Sequence, residues 1–126
     1  MITENEIATK ILDICFKIHR RYDPGLFESV YEEILCYELI KDDIEFKRQY
    51  PIPLIHEPIR LEAGFRADLI IKNKVLIELK SIEMIAPVHK KQVQTYLKLT
   101  GLRLGLLINF NVDLLKEGIT RIANNL

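Results

Sequence analysis

Hydrophobic positions change period several times along the chain. Ile7, Ile11, Ile14 and Ile18 recur at helical spacing behind Thr3 and Glu6, a capping box, and predict an amphipathic helix over residues 4–21. Tyr22-Asp23-Pro24-Gly25 breaks it. A second helix is expected from about Phe27 to Lys41, with Phe27, Tyr31, Ile34, Leu35 and Leu39 as its apolar stripe. Pro51, Pro53 and Pro58 punctuate an extended region, and residues 46–55 read as an edge strand or an irregular β segment. Residues 60–71 and 75–81 read as two strands joined by Lys72-Asn73-Lys74. Phe65, Ala67, Leu69 and Ile71 are expected on one face, where Val75, Ile77 and Leu79 extend a wholly apolar surface for helices to cover. A third helix begins at Pro87 and stops before Gly101. Residues 103–110 form a short apolar strand, and residues 118–123 a last one. The order α-α-β-β-β-α-β-β predicts one α/β (α+β) domain over residues 1–126, a mixed β-sheet flanked by helices.

Composition narrows the classes. A chain of 126 residues has room for one core, and 48% hydrophobic with 29% charged residues excludes a disordered segment. Lys plus Arg equals Asp plus Glu at 18 each, which argues against bulk electrostatic coating of nucleic acid but leaves room for a local basic groove. The charge is uneven: residues 23–46 carry eight acidic side chains and one basic. Apolar runs such as Leu104-Gly105-Leu106-Leu107-Ile108 are too short to span a bilayer, so no membrane partner is expected. The acidic start of the chain is the reverse of a secretory signal. Cys15 and Cys36 sit within helical apolar patterns and read as buried thiols of a reducing compartment, which makes the cytoplasm the expected location.

The hairpin carries the chemistry. Centred on Asn73, it sets Asp68 opposite Glu78, Arg66 opposite Lys80 and Ile70 opposite Leu76. Opposed residues have Cβ atoms only about 4.5–5.5 Å apart, where like charges destabilise. Two opposed carboxylates therefore call for a cation, and Mg²⁺ is held by one or two carboxylates while keeping several waters. Lys80, two residues beyond Glu78, projects from the same face, suited to orient a water or stabilise charge on a phosphate oxygen. The bland alternative is a surface ladder in which Arg66 and Lys80 neutralise the acids diagonally. On spacing alone, both readings stand.

Asp68 followed by Glu78-Leu79-Lys80 resembles the PD-(D/E)XK signature of the restriction-endonuclease-like nucleases, with Ala67 where a proline often stands. Gly25-Leu26-Phe27-Glu28-Ser29-Val30-Tyr31 is similar to the GxxExxY motif of a bacterial family within that superfamily. The likeness continues through Ile18-His19, the Gln92 to Tyr96 helix and the Gly105 to Phe110 strand. It implies a restriction-endonuclease-like core, Mg²⁺ as cofactor (Mn²⁺ as substitute), and Asp68, Glu78 and the Leu79 backbone carbonyl as metal ligands with Lys80 beside them.

Glu28 is the acid singled out from the acidic segment, because a helical wheel sets it beside Tyr31, Leu35 and Leu39 while Glu33 points away. The resemblance implies the same, a helix glutamate at the metal site, so Glu28 joins the catalytic set and is a candidate further ligand. Glu38 falls on that stripe too, which weakens the argument from position. Gln92 and Tyr96, spaced i, i+4, resemble the QxxxY element that positions the lysine, the ligands or nucleic acid. Tyr31 and His19 complete the candidate substrate-positioning residues. His89 lies one turn before Gln92, and no histidine spacing suggests zinc.

The expected function is a metal-dependent nuclease hydrolysing phosphodiester bonds of nucleic acid, DNA before RNA. The alternative is a non-catalytic module binding nucleic acid or protein on the same fold. The sheet edge near residues 46–55 makes the chain a candidate homodimer.

Overall fold

A computed structural model describes residues 1–126, the side chain of Ala63 excepted. The elements follow the predicted order: α1 (Glu4–Tyr22), α2 (Glu28–Lys41), β1 (Phe46–His56), β2 (Ile59–Ile71), β3 (Val75–Lys80), α3 (Pro87–Thr100), β4 (Leu104–Asn109) and β5 (Ile119–Ala123), with a 3₁₀ turn at Leu115–Gly118 before β5. Local signals set the boundaries. Thr3 Oγ1 accepts the Glu6 N–H at 3.2 Å and caps α1. Gly101, left-handed at φ 76°, ends α3. Lys72 and Asn73, at φ 51° and 56°, turn the β2–β3 hairpin.

The strands form one five-stranded sheet in the order β1-β2-β3-β4-β5. All neighbours are antiparallel except β3 and β4, whose parallel pairing requires the α3 crossover. Helices cover both faces. Ile7, Ile11, Ile14 and Ile18 of α1 and Tyr31, Leu35 and Leu39 of α2 pack on Leu69, Ile71, Val75, Ile77, Leu79, Leu106 and Ile108. Val93, Tyr96 and Leu97 of α3 pack on the other face, against Ile70, Leu76 and Leu107. Gly105 lets α3 settle close to β4, since a Cβ there would lie 2.7 Å from Val93 Cγ1.

One expectation of facing is corrected. Leu69 and Ile71 lie on the α1/α2 side as expected, but Phe65 and Ala67 pack on the α3 side with Ile70. Strand β1 changes sides in step: Phe46 packs on the α1/α2 side, Tyr50 and Ile52 on the other. The switch falls between the Arg48–Leu69 and Tyr50–Ala67 rungs, where Gln49 takes a left-handed φ of 50° inside the strand. A residue in that conformation turns over the alternation of side chains, as a bulge does. Both strands thereby cross from one face to the other at Gln49 and Asp68.

Candidate active site

The hairpin has the predicted register. Ile71, Ile70 and Leu69 face Val75, Leu76 and Ile77. The backbone ladder stops there, and at the next position side chains replace it. The Asp68 N–H donates to Glu78 Oε1 at 3.1 Å, and the Leu79 N–H donates to Asp68 Oδ2 at 2.8 Å. Each carboxylate fills the place a backbone partner would have taken, which fixes both side chains at the gap between β2 and β3. Leu79 aims its N–H into that gap, and a strand residue points its N–H and C=O the same way, so its carbonyl faces the gap too.

Glu78 is buried and Asp68 half-buried. Burial, and next the negative charge of Asp68, push the Glu78 carboxyl up to about 8, against the opposing pull of the Asp68 N–H and Lys80. Burial also raises Asp68, with Glu32 adding to it, while the Leu79 N–H, Gln49 and Lys80 hold it down. At neutral pH the metal-free pair therefore holds a proton that a cation would displace. Neither acid is tied to an arginine: Arg66 stands opposite Pro51, not Lys80, and donates through Nη1 to the Gln49 carbonyl at 3.0 Å. The surface-ladder alternative does not describe this arrangement.

The donors suit a hard divalent cation. Asp68 Oδ1 and Glu78 Oε2 accept no backbone hydrogen, and together with the Leu79 carbonyl they offer hard oxygens only. Among the described residues no cluster of three or more His, Cys, Asp or Glu is placed to hold a metal ion, so the remaining positions would fall to water and substrate.

Lys80 is half-buried, on the same face as Glu78. Its backbone is held firmly: Lys80 O accepts the Phe110 N–H at 2.9 Å, and Asn109, paired with Lys80 across the sheet, grips Ile82 through both ends of its amide. Asn109 is buried and was not singled out from the sequence, where one Asn after an apolar run carries no signal. Tyr96 is buried against Phe65, and burial followed by the charges of Glu78 and Asp68 raises its phenol. That places Tyr96 beside the acid pair.

Other candidates lie elsewhere. Glu28 is exposed on the first turn of α2, over a depression of about 610 Å³ shared with Gly25, Phe27, Ser81 and Asn111. The buried acid of α2 is Glu32, one turn beyond Glu28 on the same stripe and not singled out from the sequence. Glu32 Oε2 accepts Arg48 Nε at 2.6 Å and Glu32 Oε1 accepts Gln49 Nε2 at 2.8 Å; the same amide reaches Asp68 Oδ1 at 3.3 Å. Tyr31 is fully buried, stacked on Phe110 at 4.2 Å, and donates its hydroxyl to Asp23 O at 2.6 Å. It shapes the turn before α2 and is closed to substrate. His19 is also buried, with Nε2 donating to Val112 O at 2.7 Å, and it ties α1 to the segment after β4. Gln92 is exposed one turn before Tyr96, and His89 Nδ1 accepts the Ala86 N–H at 2.9 Å, capping α3.

Among the described residues no helix is long and apolar enough to cross a membrane. No curated protein and no solved structure matches the chain. The family model of the PD-(D/E)XK nuclease superfamily matches residues 5–122. That match spans nearly the whole chain, and this protein belongs to the PD-(D/E)XK nuclease superfamily.

Proposed function

We propose that this protein is a divalent-metal-dependent nuclease that hydrolyses phosphodiester bonds of DNA, with Mg²⁺ as its cofactor. The observation that carries the reading is the acid pair at the open end of the β2–β3 ladder: two buried-side carboxylates share one small space with no arginine between them. Divalent metals are general in the superfamily, and Asp68, Glu78 and the Leu79 carbonyl are the residues that would hold one here. Mg²⁺, when bound, supplies Lewis acidity that lowers the cost of charge on the attacking water and on the phosphate.

The chain's own groups do the rest. Lys80 sets an ammonium on the Glu78 face, where it aims the water and stabilises charge building on the phosphate oxygens. Asn109 and Phe110 hold the Lys80 backbone in place. Tyr96 closes the site behind Glu78 and keeps water out, and Gln92, exposed on the same helix, faces substrate. Glu28, in solvent, takes no part in holding the cation. The Gly25 to Tyr31 motif supports placement in the GxxExxY branch, with Tyr31 serving the fold.

The test is cleavage of single- and double-stranded DNA, and of RNA, in Mg²⁺, Mn²⁺ or chelator. Metal-dependent cleavage of DNA is expected, lost in Glu78→Ala and reduced about 100-fold or more in Lys80→Ala, the scale of removing one group that stabilises transition-state charge. Metal-independent binding without cleavage would make the protein a binding module instead.

A further inference from the structure

Three acids stand in a row across the site: Glu32 on α2, Asp68 on β2 and Glu78 on β3. Such a row has two spaces between carboxylates, and two-metal phosphodiesterases place their ions only about 3.5–4 Å apart. The two spaces are not alike. Toward Glu78, Asp68 meets the Leu79 N–H, and among the described residues no ion pair engages either acid. Between Glu32 and Asp68 lies the side chain of Gln49, its Nε2 at 2.8 Å from Glu32 Oε1 and 3.3 Å from Asp68 Oδ1.

We propose that this centre takes a single divalent cation, because the Gln49 amide fills the place between Glu32 and Asp68 that a second would need. The inference rests on the nuclease reading above. Only the NH₂ end of an amide can face two carboxylates, so Gln49 serves as a fixed neutral donor where a cation would otherwise bridge. It is anchored from several sides. Its backbone sits at φ 50° in the middle of a strand, a conformation that non-glycine residues rarely adopt and that persists where the surroundings impose it. Its carbonyl accepts Arg66 Nη1 at 3.0 Å. Glu32 is equally committed, since its other oxygen accepts Arg48 Nε at 2.6 Å. A second divalent ion would have to displace the amide and lie close to the Arg48 guanidinium, where like charges repel. Gln49 is thus a positioning residue: it orients Asp68 toward Glu78 and closes the other side.

Titration of the full chain with MnCl₂, followed by calorimetry and by the electron paramagnetic resonance of free and bound Mn²⁺, tests this without any turnover. The wild type should bind one Mn²⁺ per chain with no Mn–Mn coupling, and Glu78→Ala should lose it. Gln49→Gly suits the left-handed backbone and removes only the amide, so it should bind two, with coupling. Adding Glu32→Gln to that variant should restore one. Two ions in the wild type, or still one in a folded Gln49→Gly, would overturn the inference and leave the nuclease reading intact. No Mn²⁺ in the wild type would remove both.

Discussion

Arg48 Nε lies 2.6 Å from Glu32 Oε2, joining the edge strand to the second helix beside the acid pair. Glu32 is almost fully buried while Arg48 keeps about a third of its side chain in water, at 34% exposure, so solvent screens the pair and spares the arginine part of its desolvation cost. Glu32→Ala removes two hydrogen bonds but leaves Arg48 paired with Glu33 and Gln49 bonded to Asp68, and should cost about 1–2 kcal/mol of stability in urea denaturation. Glu28→Ala, at an exposed position, should stay within about 0.5 kcal/mol. Equal costs would mean that the assignment of the buried acid on α2 is mistaken.

Tyr31 occupies the last position of the Gly25 to Tyr31 motif, and its hydroxyl bonds to the Asp23 carbonyl and accepts the Leu26 N–H. Tyr31→Phe should therefore lose about 1–2 kcal/mol, the ordinary worth of these two hydrogen bonds, with DNA cleavage unchanged. A variant that keeps its stability but no longer cleaves would put this tyrosine in contact with substrate.

The raised Glu78 carboxyl gives a signed pH dependence. In the folded, metal-free protein Glu78 holds its proton up to about pH 8, whereas in the unfolded chain it releases it near the ordinary carboxylate value. The folded state binds more protons across that window, so this contribution is full below the ordinary value and fades as pH rises through about 8. Thermal melts in chelator from pH 5 to 9 should show wild type losing stability relative to Glu78→Gln as pH rises. Mg²⁺ should oppose that loss, because it binds the deprotonated pair and its affinity grows with pH. Parallel pH curves for the two proteins, or a Mg²⁺ effect independent of pH, would contradict the account.

Much of this was legible in the sequence, and the exceptions have physical causes. Turn and cap residues mark their positions chemically, so Thr3, Asn73, Pro87 and Gly101 set boundaries close to those observed. The hairpin register followed from the turn and the apolar alternation, and it brought Asp68 to Glu78. The switch of faces at Gln49 was not legible, because nothing in a glutamine announces a left-handed φ within a strand. Glu28 was singled out against Glu33 and Glu38, while Glu32, one turn beyond Glu28, shares its stripe, so helical position does not tell the two apart. What separates the two acids is the Arg48 and Gln49 side chains that reach α2 from β1, contacts distant along the chain.

The most direct measurement is a crystal soaked in Mn²⁺ and examined by anomalous diffraction. The account predicts one anomalous peak, between the carboxylates of Asp68 and Glu78 and facing the Leu79 carbonyl, with Lys80 alongside. No peak there, or an acid pair rotated apart with the ion bound elsewhere, would contradict it.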